Sequence, residues 1–425
     1  MSTARIRASR LHGRLTAPPS KSYTHRFTLL AHLSELPGRV RRPLWSADTL
    51  RTAKALRQLG SRIELGRGSW TVHPGAAAPS NSARVVDCGE SGTTLRLVTA
   101  AGALQSGRFR FVGAGRLPHR PMRPLFAALR ELGARITPDR SGTLLPFELL
   151  GPIHGGSVAL KVEKSSQFTS ALLLALPKVR PDSTIHVVGT PVSEPYVQAT
   201  LAVLRRHGVH VRAGSHGYRI SGGQRLRRVD AAVPGDASSA AYLWAGAALT
   251  GGRVQVRGIP SSWPQADLAI LALLRRYGAE VSRRGDAVTV EGGRRRPLRC
   301  TLTDSPDLYP LVGVLAAAAP GRSYLLGAEH VAAKESDRKQ ETMRLVRAMG
   351  ARVEKIRGGL VVEGTAQTRP LRLRGVVDHR IVMSAAVGAL LAPNPSELSD
   401  AGSVGKSFPG FFDALGQLGA EVSVR

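Results

Sequence analysis

Six glycines, Gly60, Gly133, Gly208, Gly278, Gly350 and Gly419, fall roughly 70 residues apart along the chain. Each closes a helix-patterned stretch such as Leu56-Arg57-Gln58-Leu59-Gly60 or Leu274-Arg275-Arg276-Tyr277-Gly278. A glycine just past the last turn takes the left-handed cap that other residues resist. Spaced at a fixed interval, such glycines mark copies of one supersecondary unit, and that periodicity limits the architecture before any single motif is read.

Within each copy a first helix is expected to begin near Ser22, Gly92, Ser165, Asp236, Asp307 and His379, and a second to end at the glycine. Short alternating stretches follow the glycines, Arg62-Ile63-Glu64-Leu65, Val209-His210-Val211, Glu280-Val281 and Arg352-Val353-Glu354, and read as strands. Turn residues Gly214-Ser215-His216-Gly217 and Gly285-Asp286 lead into Tyr218-Arg219-Ile220 and Val288-Thr289-Val290, which predicts hairpins. The unit is strand, helix, strand, helix, strand, strand, and the class is α/β. The sixth copy stops at Glu421-Val422-Ser423-Val424-Arg425 without a closing strand, whereas residues 4–16 carry a strand-like segment ahead of the first helix. The N-terminal segment is therefore expected to complete the last copy. Three copies per half predict two similar domains, 21–234 and 1–20 plus 235–425, with two chain crossings between them as a hinge.

At 425 residues and 42% hydrophobic content the chain can bury two cores. Its longest apolar runs, such as Leu311 to Ala319, are about half a bilayer span, and its Arg-bearing N-terminus lacks the apolar core of a secretion signal, so a cytoplasmic, membrane-free protein is expected. The two cysteines, Cys88 and Cys300, cannot form a disulfide framework, and no Cys/His spacing fits zinc; neither metal nor cofactor is expected. A formal net charge of +30 would suit a nucleic-acid partner. The distribution argues otherwise: basic residues spread over all six copies, the longest run is Arg294-Arg295-Arg296, and aromatics for base stacking make up 5%. Most of the excess reads as solvated surface, with a minority gathered at a site for small anions.

The motifs lie at helix starts. Ser20-Lys21-Ser22-Tyr23-Thr24-His25-Arg26 follows Pro18-Pro19, and hydroxyls, Lys21 and Arg26 at a helix N-terminus suit a phosphate, because free N–H groups and the helix dipole both favour an anion there. Gly89-Glu90-Ser91-Gly92-Thr93-Thr94-Leu95-Arg96 repeats the idea with small residues that let backbone approach a ligand. Ser165-Ser166-Gln167 and Ser193-Glu194-Pro195-Tyr196 open two further helices, and each could be a plain cap. The C-terminal half adds Pro306-Asp307, Lys334-Glu335-Ser336-Asp337-Arg338, Asp378-His379-Arg380 and Lys406-Ser407-Phe408-Pro409. Lys334 and Arg338 are spaced to share a helical face with Glu335 to one side, and taken alone that segment reads as a solvated charge cluster. Asp236-Ala237-Ser238-Ser239 reads mainly as a cap. Recurrence of anion-suited groups at several helix starts shifts the reading toward a site.

Taken together and in this order, these segments resemble the 5-enolpyruvylshikimate-3-phosphate synthase family of enolpyruvyl transferases, and the Pro18 to Arg26 stretch is similar to archaeal members. The resemblance covers nearly the whole chain. It implies two inside-out α/β barrel-like domains, each of three βαβαββ units, joined by a two-strand hinge, acting as a monomer on two small substrates, phosphoenolpyruvate and shikimate 3-phosphate. Carried over by position, shikimate 3-phosphate contacts fall on Lys21, Ser22, Arg26, Ser165, Ser166, Gln167, Ser193, Tyr196, Asp307 and Lys334. Phosphoenolpyruvate contacts fall on Lys21, Gly92, Thr93, Arg120, Gln167, Arg338, Arg380 and Lys406. Asp307 matches the residue that takes the proton from the 5-hydroxyl, and Glu335 the acid that protonates the enol methylene, with Lys21 beside them as a third catalytic group. Glu90 and His330 depart from the commonest bacterial spelling, which has Asn at both. A sister family acting on UDP-N-acetylglucosamine usually carries a reactive cysteine near Arg120, and Gly113 to Arg123 contains none. RNA 3'-phosphate cyclases share related repeats and would suit the positive charge, but give no reason for the Ser165 and Lys334 sets.

Overall fold

The computed structural model describes residues 2–76, 82–139, 142–376 and 378–425. Contacts divide it into two compact units, Pro19–Val233 and Met1–Pro18 with Pro234–Arg425. Among the described residues there are six four-stranded mixed sheets, three in each unit. The sheet of residues 157–220 shows the pattern. Ser157–Lys161 runs parallel to Ser183–Val188, with Ser157 opposite Thr184, because a helix intervenes between them. Ser183–Val188 pairs antiparallel with Gly217–Ile220, which turns back through a hairpin onto Val211–Gly214 at the edge. The order is first, second, fourth, third strand.

All six repeat glycines have positive φ, from 82° at Gly208 to 109° at Gly278. The left-handed residue lets the chain leave the second helix and enter the hairpin within one or two residues.

The N-terminal segment behaves differently from the single strand expected over residues 4–16. It forms two strands belonging to two sheets. Thr3–Ile6 inserts between Ser396–Ser399 and Val422–Val424, antiparallel to both, and so closes the sixth sheet. His12–Thr16 runs parallel to Arg253–Arg257 and opens the fourth sheet. Its counterpart in the other unit is Asp230–Ala232, parallel to Gly38–Arg41. A local pattern cannot distinguish one bent strand from two, since the division is decided by partners more than 200 residues away.

The first helix of each repeat is buried almost all round, as for Ala237–Thr250, Tyr309–Ala317 and His379–Ala389 in one unit and Lys21–Leu33, Gly92–Gly102 and Ser166–Ala175 in the other. Their sequences are rich in Ala, Leu and Val with few charges, the composition of a helix without a water-facing side. Second helices such as Arg123–Glu131 and Ala269–Tyr277 bury one face and place arginines on the other. Strands alternate in the same sense: Arg253–Arg257 buries Val254 and Val256 and exposes Arg253 and Arg257. Much of the positive charge thus stands on outward strand faces, while the buried polar groups collect at the starts of the first helices.

Candidate active site

In the Pro19–Val233 unit the polar groups are tied helix start to helix start. Arg26, 2% exposed, donates from Nε to Thr200 Oγ1 (2.8 Å), from Nη1 to Ser22 Oγ (2.5 Å) and from Nη2 to the Tyr196 carbonyl (2.9 Å). It therefore pins the helix Lys21–Leu33 to the helix Glu194–Arg206. Burial lowers its pKa to about 10, which leaves it charged. Ser193 stands at the start of that second helix with φ 57°, a strained conformation for a non-glycine residue of the kind that gathers at ligand sites. Lys21 Nζ is held 3.0 Å from Asp48 Oδ2. Behind it, His25 Nδ1 bonds Thr52 Oγ1 (2.7 Å) and Thr52 bonds Thr94 (2.6 Å). Burial, then Lys21 and Arg26, drive the His25 pKa well down, so the ring is neutral.

A second cluster in this unit surrounds the helix Gly92–Gly102, capped by Ser91. A Cβ on Gly92 would come within 2.5 Å of Arg120 Nη1 and 2.6 Å of its Cζ, so the guanidinium lies directly against the glycine backbone. Gln167 Nε2 donates to Thr93 Oγ1 (3.0 Å), and Gln167 Oε1 accepts from Arg96 Nη1 (2.6 Å). Arg96 also donates to the Pro121 carbonyl and sits over the Phe168 ring at 5.4 Å. Ser165 caps the helix Ser166–Ala175 by accepting from Gln167 N. Gly92, Thr93, Arg120, Ser165, Ser166 and Gln167 are thus neighbours in space. Glu90 is exposed on the preceding turn, with its carboxyl against Gly115.

In the other unit the centre is Arg338, 2% exposed. Its Nη1 meets Asp307 Oδ1 at 2.7 Å, Nη2 meets Glu335 Oε2 at 2.7 Å, and Nε meets Asp378 Oδ2 at 2.9 Å. Arg380 Nη2 holds the second Asp307 oxygen at 2.9 Å. Asp378, fully buried, also accepts from Ser336 Oγ and from the Arg380 backbone N–H, both at 2.9 Å. Burial pulls the Asp307 pKa up, but the charges of Arg380, Arg338 and Lys334 overcome it and leave the carboxyl well below the usual range. Asp378 is lowered in the same way against the cost of burial, chiefly by Arg338. Arg338 in turn is raised: burial opposes its charge, but Asp378, Glu335 and Asp307 outweigh it.

Two expectations for this segment fail. Lys334 and Arg338 do not share a helical face. A 3-10 helix, Glu329–Ala333, ends before Lys334, and the α-helix Arg338–Ala348 begins after Asp337, whose side chain caps it through Gln340 N. The cap starts a new helix, so Arg338 reaches back to Glu335 across a turn. Nor is the segment a solvated charge cluster, since Arg338 and Asp378 are buried and paired. Lys334 is half-buried just after the 3-10 helix, within which His330 is buried. Lys406 ends the 3-10 helix Ala401–Lys406, which packs against the helix bearing Arg380.

Asp48, Arg96 and Asp378 take part although the sequence reading assigned them no role. Arg96 and Asp378 lay inside segments already singled out; Asp48 gave only the common signal of an acid in a first helical turn. The described residues contain no group of three or more His, Cys, Asp or Glu placed to hold a metal. No described helix is long and apolar enough to cross a membrane.

A family model described as EPSP synthase (3-phosphoshikimate 1-carboxyvinyltransferase) matches residues 6–415. A 3-phosphoshikimate 1-carboxyvinyltransferase of Methanocorpusculum labreanum is 38% identical over 418 residues, covering 98% of each chain. One from Methanocella arvoryzae is 40% identical over 427 residues, covering 99% of this chain and 100% of the relative. Among solved structures, an EPSP synthase from Acinetobacter baumannii superposes with TM-score 0.84 at 25% identity, covering 100% of both chains. The enolpyruvyl transferase NikO from Streptomyces tendae shares the fold, with TM-score 0.80 at 19% identity over 100% of this chain and 98% of its own.

Proposed function

We infer that this chain, which belongs to the EPSP synthase family, transfers the enolpyruvyl group of phosphoenolpyruvate to the 5-hydroxyl of shikimate 3-phosphate and releases phosphate. It is thus a transferase of the shikimate pathway, the route to aromatic amino acids. One observation carries the reading of how it does so: a single buried guanidinium, Arg338, grips both Asp307 and Glu335, the two carboxylates assigned to opposite ends of the proton traffic.

The carboxylates occupy the guanidiniums that substrate anions are to meet. Asp307, clamped by Arg338 and Arg380, is a poor base in that state because both cations favour its charged form. Phosphate and carboxylate groups that compete for the two arginines loosen the clamp and restore its basicity. Asp307 then takes the proton of the 5-hydroxyl as that oxygen adds to the enol carbon that bears the phosphate, and Glu335 gives a proton to the methylene, which becomes a methyl. The product regains its double bond when that methyl returns a proton to the Glu335 carboxylate and phosphate departs, carrying away the proton that Asp307 took. Lys21, Arg120 and Gln167 hold phosphoenolpyruvate against Gly92, where the missing side chain brings anion and backbone together. Ser22, Arg26, Ser165, Ser166, Ser193, Tyr196 and Lys334 receive shikimate 3-phosphate, and Thr93 and Lys406 complete the phosphoenolpyruvate side.

The finer architecture belongs to the same proposal: two inside-out α/β barrel-like domains joined by two strands, which close when shikimate 3-phosphate binds, in a monomeric cytoplasmic enzyme without cofactor. The deciding assay is phosphate release from phosphoenolpyruvate, with shikimate 3-phosphate in one arm and UDP-N-acetylglucosamine in the other. Release is expected in the first arm alone, and release only in the second overturns the assignment.

A further inference from the structure

The unit that carries Arg338 holds a buried carboxylate that the mechanism above does not use. Asp267 is 1% exposed, in the 3-10 helix Ala266–Leu268, and its Oδ2 accepts from Ser238 Oγ. Its surroundings are laced together. Gln265 Oε1 accepts from Ala237 N (2.8 Å), Gln265 Nε2 donates to the Gly235 carbonyl (2.9 Å), and Ser305 Oγ donates to the Ala266 carbonyl (2.9 Å). The starts of the Ala237 helix, the Asp267 turn and the Asp307 turn are therefore tied to one another by hydrogen bonds.

Ser238 donates to Asp267 from the Ala237 helix, and the charges acting on Asp267 are those of Asp307 on the next turn, Arg380 on the helix His379–Ala389, and Asp236, the cap of the Ala237 helix. Burial first, then the Asp307 carboxylate, push its pKa up to about 7, against the pull of Arg380 and the Ser238 hydroxyl. Asp307 and Asp378 differ in kind: guanidiniums hold both in the charged form. The cluster contains Asp236, Asp267, Asp307, Glu335 and Asp378 beside the cations Arg338, Arg380 and Lys334, so its carboxylates outnumber its cations. A substrate anion that engages the arginines adds negative charge to a buried region, and a carboxylate there must respond.

We propose that Asp267 is the proton reservoir of this half-site: as substrate anions engage Arg338 and Arg380, it takes up a proton from solvent and ties binding to pH. This rests on the reading that those two arginines receive the substrates. The carboxylate becomes a carboxylic acid, with Oδ2 held by Ser238 and the proton on Oδ1, and the solvent buffer is the donor. Neutralising Asp267 also removes one of the anions that compete for Arg380. It is a positioning residue, acting through Arg380 and Asp307.

The test is isothermal titration calorimetry of the full chain in two buffers of different ionisation enthalpy, with shikimate 3-phosphate and 2-phospholactate, a saturated analogue that cannot react. The difference in heat counts protons taken up, and the ligands' own phosphates contribute equally in every protein compared. Wild type is expected to take up about half a proton more than Asp267→Asn near pH 7. Ser238→Ala removes a donor that favours the charged form, so its uptake should move to higher pH; it carries the test alone where Asp267→Asn does not fold. Equal proton counts in wild type and Asp267→Asn, or an unmoved profile in Ser238→Ala, with binding intact, overturn this proposal alone. No binding heat in wild type overturns the functional reading, and this inference with it.

Discussion

Replacing Arg338 by alanine should cost the protein stability as well as activity, and the size of the loss follows from how unequally its three partners are exposed. Side chains of Asp307 and Glu335 are 21% and 20% exposed, so water can replace much of what they lose; Asp378 is 0% exposed and cannot be reached. Removing one partner of a buried pair costs about 3–5 kcal/mol, and the two pairs whose carboxylates are about one-fifth exposed add less than ~1 kcal/mol each. Against a typical total of about 5–15 kcal/mol the sum, about 3–7 kcal/mol, is a large fraction, equivalent to a fall of ~6–28 °C in Tm for a unit of this size. The penalty depends on pH. In wild type the Asp378 pKa is depressed, so its contribution is full above the unfolded-state value and is lost as pH falls through the folded one. In Arg338→Ala, burial governs instead and raises that carboxyl, so the variant gains stability as pH falls. Between pH 7 and pH 5 the wild-type contribution stays full, because the folded and unfolded Asp378 values both lie below that window, so the variant's gain alone narrows the gap there. Urea unfolding followed by fluorescence of buried Trp244, in the same unit, measures it at pH 7 and pH 5. Arg338→Ala with Asp378→Asn should recover part of the loss by removing the stranded charge. A penalty below ~1 kcal/mol at pH 7, or a gap that widens toward acid, would refute a buried, charged Asp378.

Three other outcomes follow. Glu335→Gln should abolish solvent deuterium incorporation into the enolpyruvyl methylene while both ligands still bind, whereas Asp307→Asn should slow addition with little loss of affinity; full exchange in Glu335→Gln, seen by mass spectrometry, moves the acid role elsewhere. Gly92→Ala should push the Arg120 guanidinium off the helix start and weaken phosphoenolpyruvate binding by about tenfold or more, the worth of one charge-assisted hydrogen bond; an unchanged KM for phosphoenolpyruvate removes Arg120 from the site. Arg294→Ala, at an exposed position, should alter kcat/KM by less than ~0.5 kcal/mol, and a loss matching that of Arg338→Ala would mean the basic surface acts as a general field.

The sequence made the repeat and the helix starts readable because both depend on local chemistry. A glycine that must take positive φ has few substitutes, and a serine or aspartate cap sits beside the N–H groups it satisfies, as Ser91, Ser165, Asp236 and Asp378 do. Long-range pairing left no such mark. Nothing in residues 4–16 states that Thr3–Ile6 and His12–Thr16 join different sheets, since either could alternate against any partner of the right register. In the site, Lys21 and Arg338 were legible as cations at helix starts, while Asp48 and Asp378, which hold them, were not: ion pairs between separate elements have no sequence spacing. The assumed helical spacing of Lys334 and Arg338 misled because Asp337, a cap inside a charged run, restarts the helix.

The strand exchange near the chain crossings dictates an order of assembly during synthesis. Residues 19–233 contain every strand their three sheets require, including Asp230–Ala232, so that unit can pack as soon as about residue 233 clears the ribosome. The other unit cannot. Thr3–Ile6 and His12–Thr16 emerge well before their partners at Arg253–Arg257, Ser396–Ser399 and Val422–Val424. For most of translation these two strands are unpaired edges tethered to a finished neighbour, which holds their ends near the crossing and shortens the loop that must later close. The early-made strands wait for the late-made ones, and whatever delays residues 396–424 prolongs the interval in which the nascent chain can pair wrongly.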